Sequence, residues 1–298
     1  MTFSIVGHDP ASGDLGIAVA SKFIAVGAVV PYAAAGVGAV ATQAWANTDF
    51  GPDGLARMAA GASASEALAA LVGGDEGRED RQAGFVDARG MPATFTGDRC
   101  MDWAGGRTGE HVAVQGNILT GPEVVDEAFR AFETTGGDLC DKLIAALLAG
   151  DAAGGDRRGR QGAALLVVRD RGGYEGRNDR YIDLRVDEHP DAPNELARVF
   201  RVWDELVLVR DDPALEATPA LVSDLQRRLA ALGRYRGEPT GALDASTVAA
   251  LEDWAGECNL EGRLRDDGRL SRYLMTEIRD VTPEIEAPPG LPGTGAER

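Results

Sequence analysis

The sequence predicts an α+β chain, with helices packed on antiparallel sheets and a small helical unit after them. Three observations predict it. Strand-like runs alternate with pairs of helical segments, which is not the pattern of a βαβ chain. No GxGxxG or GxxxxGK[ST] phosphate loop is present. Composition changes after Arg210-Asp211-Asp212-Pro213, which ends a first domain over 1–212.

Phe3–Gly7 and Leu15–Ala20 read as the first strands, joined as a hairpin by the turn residues His8 to Asp14. Ile24–Tyr32 and Gly36–Gln43 read as a second pair, with glycines and alanines that allow tight sheet packing. Helices follow over Gly54–Ala60 and Ser65–Val72, the second capped by Ser63 or Ser65. Gln82–Asp87 and Met91–Thr96 form a hairpin across Ala88-Arg89-Gly90, and Val112–Gln115 a short strand. In the helix pair Pro122–Thr134 and Asp138–Leu148, Val125, Ala128, Phe129 and Phe132 share one face. Ala163–Arg169 is a nearly continuous apolar strand, and Tyr181–Val186 alternates like a half-buried one.

Pro213–Pro219 reads as a linker and 219–280 as a second domain. Leu221, Leu225, Leu229 and Leu232 lie on one helical face, and Gly233 stops that helix. Asp244 or Ser246 caps a second helix carrying Val248, Leu251 and Trp254. Residues 281–298, Pro/Gly-rich from Thr282, read as a disordered tail. A helical core of about 60 residues is marginal alone, so this domain is expected to dock on the first or on a second copy of the chain.

The net charge of −18 over 298 residues argues against nucleic acid, which needs a basic stripe, and against anionic lipid. No apolar run is long enough to cross a bilayer, and no basic-then-apolar start marks a secretory signal, so a cytoplasmic chain is expected. Lysine occurs only at Lys22 and Lys142 among many arginines, which draws attention to Lys22. Cys100, Cys140 and Cys258 form no CxxC pair, and His8, His111 and His189 have no ligand spacing. No metal or cofactor is expected.

Thr2 carries the clearest chemistry. Removal of Met1 would place a hydroxyl and a free α-amine on one residue, and that amine can take the hydroxyl proton. An unperturbed α-amine has a pKa of about 7.7–8.0, so part of it is unprotonated near neutral pH. Many chains also begin Met-Thr for no chemical reason, so the case depends on the rest of the sequence.

Five stretches carry a resemblance: Thr2-Phe3-Ser4-Ile5, Leu15 to Phe23, Gly36 to Gln43, Gln115-Gly116-Asn117 and Gly154 to Gln161. With them residues 2–210 resemble the bacterial DUF1028 family, assigned to the N-terminal nucleophile (Ntn) hydrolase superfamily. The resemblance implies a four-layer αββα sandwich and brings no settled substrate. Leu225-Gln226-Arg227-Arg228-Leu229, Leu232-Gly233, Thr240-Gly241 and Thr247 to Trp254 resemble a peptidoglycan-binding domain. That pattern ends in Asp253-Trp254, where wall-binding relatives more usually have a phenylalanine–glutamine pair.

The superfamily's chemistry points to candidate partners for Thr2. Lys22 ends the second strand, where its ammonium could lower the amine's pKa; the plain alternative is a strand-end lysine in solvent. Thr42, Gln43 and Asn47 lie where proteasome subunits carry an oxyanion donor, or they close a turn. Asn117 is a further candidate for binding substrate. Asp156, Arg157 and Gln161 precede a buried strand, as do proteasome residues that hold the terminal threonine. The alternative is a charged loop held by its own ion pairs. Two superfamily residues are missing. The aspartate near the end of the second strand is replaced by Ala20 or Ser21, and the third-strand lysine has no counterpart in Ile24–Tyr32.

Two readings follow. One is an amidohydrolase acting on a small-molecule or peptide amide, with Thr2 as nucleophile and Lys22 and Asp156 tuning the amine. The other is a non-catalytic binding protein on the same scaffold. The C-terminal domain is expected not to anchor the chain to the wall. On purified peptidoglycan, the full chain and a 1–212 truncation should show equally weak retention. Strong retention lost on truncation would contradict this.

Overall fold

A computed structural model describes residues 2–208, 210 and 212–286. The part of the expected tail beyond Glu286 lies outside the described residues. The chain divides into two compact units, 1–199 and 200–298.

Alternation along β1 (Thr2–His8) sets the layers of the first unit. Every residue of this strand is buried, so both of its faces are covered. Val6 joins a core with Ile17, Val19, Ala39 and Ala41, and Ser4 bonds Gln43 across the same gap. Gly7 points the other way, where a Cβ would come within 2.9 Å of Phe132 and Leu139.

β1 lies in a six-stranded antiparallel sheet. Its order is β10 (Arg180–Val186), β9 (Gly162–Val168), β2 (Leu15–Ser21), β1, β8 (Val112–Asn117) and β7 (Gly105–Gly109). The register puts Thr2 opposite Ser21 on one side and Asn117 on the other. A four-stranded antiparallel sheet faces it, made of β3 (Pro31–Ala34), β4 (Gly38–Ala44), β5 (Arg81–Asp87) and β6 (Pro92–Thr96). α1 (Phe50–Ala59) and α2 (Ala64–Gly74) cover the outside of this smaller sheet, burying Phe50, Met58 and Leu68 against Val40 and Phe85. α3 (Glu123–Thr134) and α4 (Leu139–Ala152) cover the outside of the larger one. The layers therefore run helices, sheet, sheet, helices: the α+β class that the sequence predicts, in the four-layer arrangement that the resemblance implies. Ser63 caps α2, and Glu66 completes its capping box.

Up to Trp203, three elements differ from expectation. Ile24–Tyr32 is not a strand: a 3₁₀ turn occupies Val26–Ala28, and β3 starts only at Pro31. A β-branched run suits a strand, but these residues are needed as an apolar loop closing the end of the sheet gap. β7 carries no hydrophobic alternation in Gly105–Gly109, so its sequence gives no strand signal. α5 (Ala192–Trp203) lies in a stretch with no element predicted.

The second unit packs α6 (Pro219–Ala231), α7 (Ala245–Glu257) and α8 (Arg272–Asp280) around Leu221, Leu225, Leu229, Leu251, Trp254 and Ile278. The expected linker contains β11 (Ala214–Leu215), paired with β12 (Leu270–Ser271). Val248, expected on the buried face, is 36% exposed, and Thr247, Ala250 and Ala255 turn inward instead. α8 was not predicted, and its Arg279 pairs with the buried Asp224. The start of the expected tail is tied down as well. Arg228, 1% exposed, donates to the carbonyl and hydroxyl of Thr282 and to the carbonyl of Ile285.

At the far end of β1, His8 Nδ1 lies 3.3 Å from His111 Nδ1. Burial first, and then His111, pushes the His8 pKa below 6.5, against opposition from Asp9, Asp87 and Asp14. The unfolded chain therefore binds this proton more readily. His8 supports the fold fully above about pH 6.5, and that support is lost as pH falls through the lowered value. Thermal melts between pH 7.5 and 5 should show Tm falling with acid. His8→Gln should flatten that slope, and an unchanged slope would refute the assignment.

Candidate functional site

Thr2, Ser4, Val6 and, on the facing sheet, Gln43 all point into the gap between the sheets. At the Thr2 end this gap fills with amides. Ser4 Oγ donates to Gln43 Oε1 at 2.8 Å, and Gln115 Nε2 donates to Ser4 Oγ at 2.6 Å. Gln43 Nε2 reaches Gln82 Oε1 at 2.8 Å and the Thr2 carbonyl at 3.3 Å. Asn117 Nδ2 donates to Gln82 Oε1 at 2.9 Å, and Gln82 Nε2 donates to the Gly116 carbonyl at 2.7 Å. Ser4, Gln43, Gln82, Gln115 and Asn117 are all buried. Such a network is stable only because its members satisfy one another. Gly84 leaves it room: a Cβ there would stand 2.0 Å from Gln115 Oε1.

In front of this network is a cavity of about 300 Å³. Thr2 and Ser21 meet at its floor, with their hydroxyl oxygens 3.0 Å apart. Gln43 and Asn117 also reach it from behind. The 22–30 loop, Trp45 and the 99–101 loop supply the walls, and Arg158 stands at the side. Cys100 is a second potential nucleophile there, but burial raises the pKa of its thiol and its Sγ–H bonds the Arg81 carbonyl. It is a protonated wall residue at neutral pH.

Among the candidates, Thr2, Gln43 and Asn117 converge on this cavity. Lys22 does not line it. Ser21 faces the gap, so alternation turns Lys22 away, and its ammonium is exposed on the Arg160 carbonyl. Asp156 is buried, and its carboxylate accepts from Lys22 N at 2.6 Å, from Arg158 N at 2.8 Å and from the Arg158 guanidinium at 3.4 Å. Thr42 points to the helix side and donates to the Asn47 carbonyl. Asn47 Nδ2 bonds Asp75, whose carboxyl is held down to about 2 by Arg81 first, with help from Asn47 and Gly77. Arg157 is exposed, and Gln161 joins the end of β2 at Ser21 to the loop at His189 through its backbone. Sequence reasoning missed Ser21, Gln82 and Arg158. Ser21 was legible as the register partner of Thr2 once both strands were paired. Asp138, Cys140 and Asp141 also cluster, as the cap of α4.

Residues 2–196 match the model of a family described as "Family of unknown function (DUF1028)". The chain belongs to the DUF1028 family. The crystal structure of a DUF1028 protein from Silicibacter pomeroyi is similar, with a TM-score of 0.62 and 30% identity, over 68% of this chain and 89% of that one. Residues 207–276 match the model described as "Putative peptidoglycan binding domain". No curated protein matches the chain. In this DUF1028 chain the motif stretches 2–5, 15–23, 36–43 and 115–117 contain Thr2, Ser4, Ser21, Gln43, Gln115 and Asn117. They are the floor of the cavity and the network behind it.

In the second unit the motif residues also look inward. Gln226 Nε2 bonds Thr247 Oγ1 at 2.7 Å, and its Oε1 accepts from Gly241 N at 3.0 Å. Trp254 is in the core. These positions hold the helices and the Thr240-Gly241 turn together.

Gln82→Met should leave buried partners of Gln82 unsatisfied and lower stability by roughly 2–4 kcal/mol. Denaturant unfolding measures this. A loss below about 0.5 kcal/mol would show that the network is not what joins the sheets.

Proposed function

We propose that the first unit is an Ntn-type amidohydrolase with Thr2 as nucleophile, acting in the cytoplasm on a C–N amide bond. The observation that carries this reading is the position of Thr2: its hydroxyl sits on the floor of a cavity, beside Ser21, at the start of a central strand. The mechanism requires loss of Met1. The freed α-amine takes the Oγ proton while Oγ bonds the amide carbon. The C–N bond then breaks, and the proton passes to the leaving nitrogen. Water attacks the resulting threonine ester, its proton goes to the amine, and Oγ leaves and recovers that proton. The products are a carboxylic acid and an amine. The Ser21 hydroxyl orients Oγ. Arg158 is a cation at the cavity wall, in the place expected of Lys22, and it is paired with Asp156 at 3.4 Å.

A second reading, a binding site without catalysis, has its own support. The Lys22 ammonium is outside the cavity, and Asp156 is bonded to backbone N–H groups. This reading gives the C-terminal unit an accessory part in assembly or glycan contact.

An electrophilic amide mimic should label Thr2 in protein from the native host, whose intact mass should show Met1 removed. Thr2→Ala should abolish labelling and Thr2→Ser should keep it. Retained Met1, or equal labelling of Thr2→Ala, would end the catalytic reading.

A further inference from the structure

The chemistry of the cavity walls assigns a substrate class to this site. The walls are apolar: Phe23, Val26, Val29, Trp45, Met101 and Ile118 stand around Thr2 and Ser21. The amides at the floor donate backwards, Gln43 Nε2 and Asn117 Nδ2 both to Gln82 Oε1. Asp80 on the rim is bound by Arg99 at 2.5 Å, so that pair adds no net charge. Arg158, the other cation of the lining, is paired with Asp156 at 3.4 Å at the side of the cavity. A polar or charged acyl group seated along the 22–30 loop and Met101 would therefore exchange water for hydrocarbon.

The rim carries the second observation. Phe23, Trp45 and Met101 are 49%, 73% and 58% exposed, and all three border the cavity mouth. Large apolar side chains gathered at one opening mark a surface that is covered in use. The volume, about 300 Å³, is at the small end of ligand sites. It suits a short group and not a long lipid chain or a folded peptide.

We infer that the site takes amides with a short apolar acyl group, aliphatic or aryl, seated between the 22–30 loop and Met101 with its carbonyl over Thr2. The direction of scission rests on the Thr2 nucleophile of the preceding section. The apolar selectivity does not, because it needs binding alone.

The test is therefore made on binding. Acetyl-, butanoyl- and hexanoyl-glycinamide are titrated into the full-length wild type and Thr2→Ala, with γ-glutamyl-glycinamide as the polar comparator. Each buried methylene should tighten binding about three- to fourfold in both proteins. The glutamyl amide should bind more weakly than the butanoyl one. Val29→Glu should flatten the chain-length gradient. Met101→Asp, at an exposed position that leaves the core alone, should weaken hexanoyl binding at least threefold. A flat gradient in wild type, or preference for the glutamyl amide, overturns the inference and leaves the apolar rim as a contact for another protein. A steep gradient with no labelling of Thr2 keeps the apolar pocket and ends the catalytic reading.

Discussion

The first unit depends on the buried amide network between its sheets. Two facing sheets normally pack through hydrocarbon, as Val6, Ile17, Ala41 and Val86 do further along the gap. At the Thr2 end Ser4, Gln43, Gln82, Gln115 and Asn117 replace hydrocarbon with hydrogen bonds. Each such group left alone would cost more than an apolar contact returns, so the network is stable in one register and one spacing only. Gly84, lacking a Cβ, sets how closely the sheets approach there. Because Gln43 also holds the Thr2 carbonyl, the same bonds that join the sheets position the residue at the cavity floor.

The charges show a parallel economy. The chain carries 48 acidic and 30 basic residues, yet its buried carboxylates are matched. Asp14 is gripped by Arg169 through two bonds at 2.7 and 2.6 Å, and Arg160 holds Asp151. In the second unit Asp224 receives both Arg228 and Arg279. A buried pair of this kind adds little net stability, but loss of one partner leaves an uncompensated charge. Asp156 belongs with these residues: bonded to the Lys22 and Arg158 amides, it fixes the loop beside the cavity.

Much of the architecture was legible. Helix pairs between strand pairs, the Ser63 cap and the leucine stripe of α6 each follow from local periodicity and capping. The errors have local causes too. Ile24–Tyr32 has strand-forming residues but serves as a cavity wall. Gly105–Gly109 becomes a strand only because β8 offers it an edge. Val248 lies one step round the helix from Thr247, and Gln226 claims Thr247, so the helix is rotated away from the face that hydrophobicity alone selects.

By itself the sequence determined the chemical inventory and the local elements: a threonine at the head of a strand, few lysines, amide-rich motifs, and alternating strands and helix pairs. Those are properties of single segments. Tertiary structure decided which members of that inventory meet. Thr42 and Gln43 are adjacent and equally polar, yet one faces α1 and its loop and the other faces the sheet gap. Ser21 and Lys22 divide in the same way. The reason is that neighbouring strand residues point to opposite faces, and only the pairing of the sheets settles which face encloses the cavity.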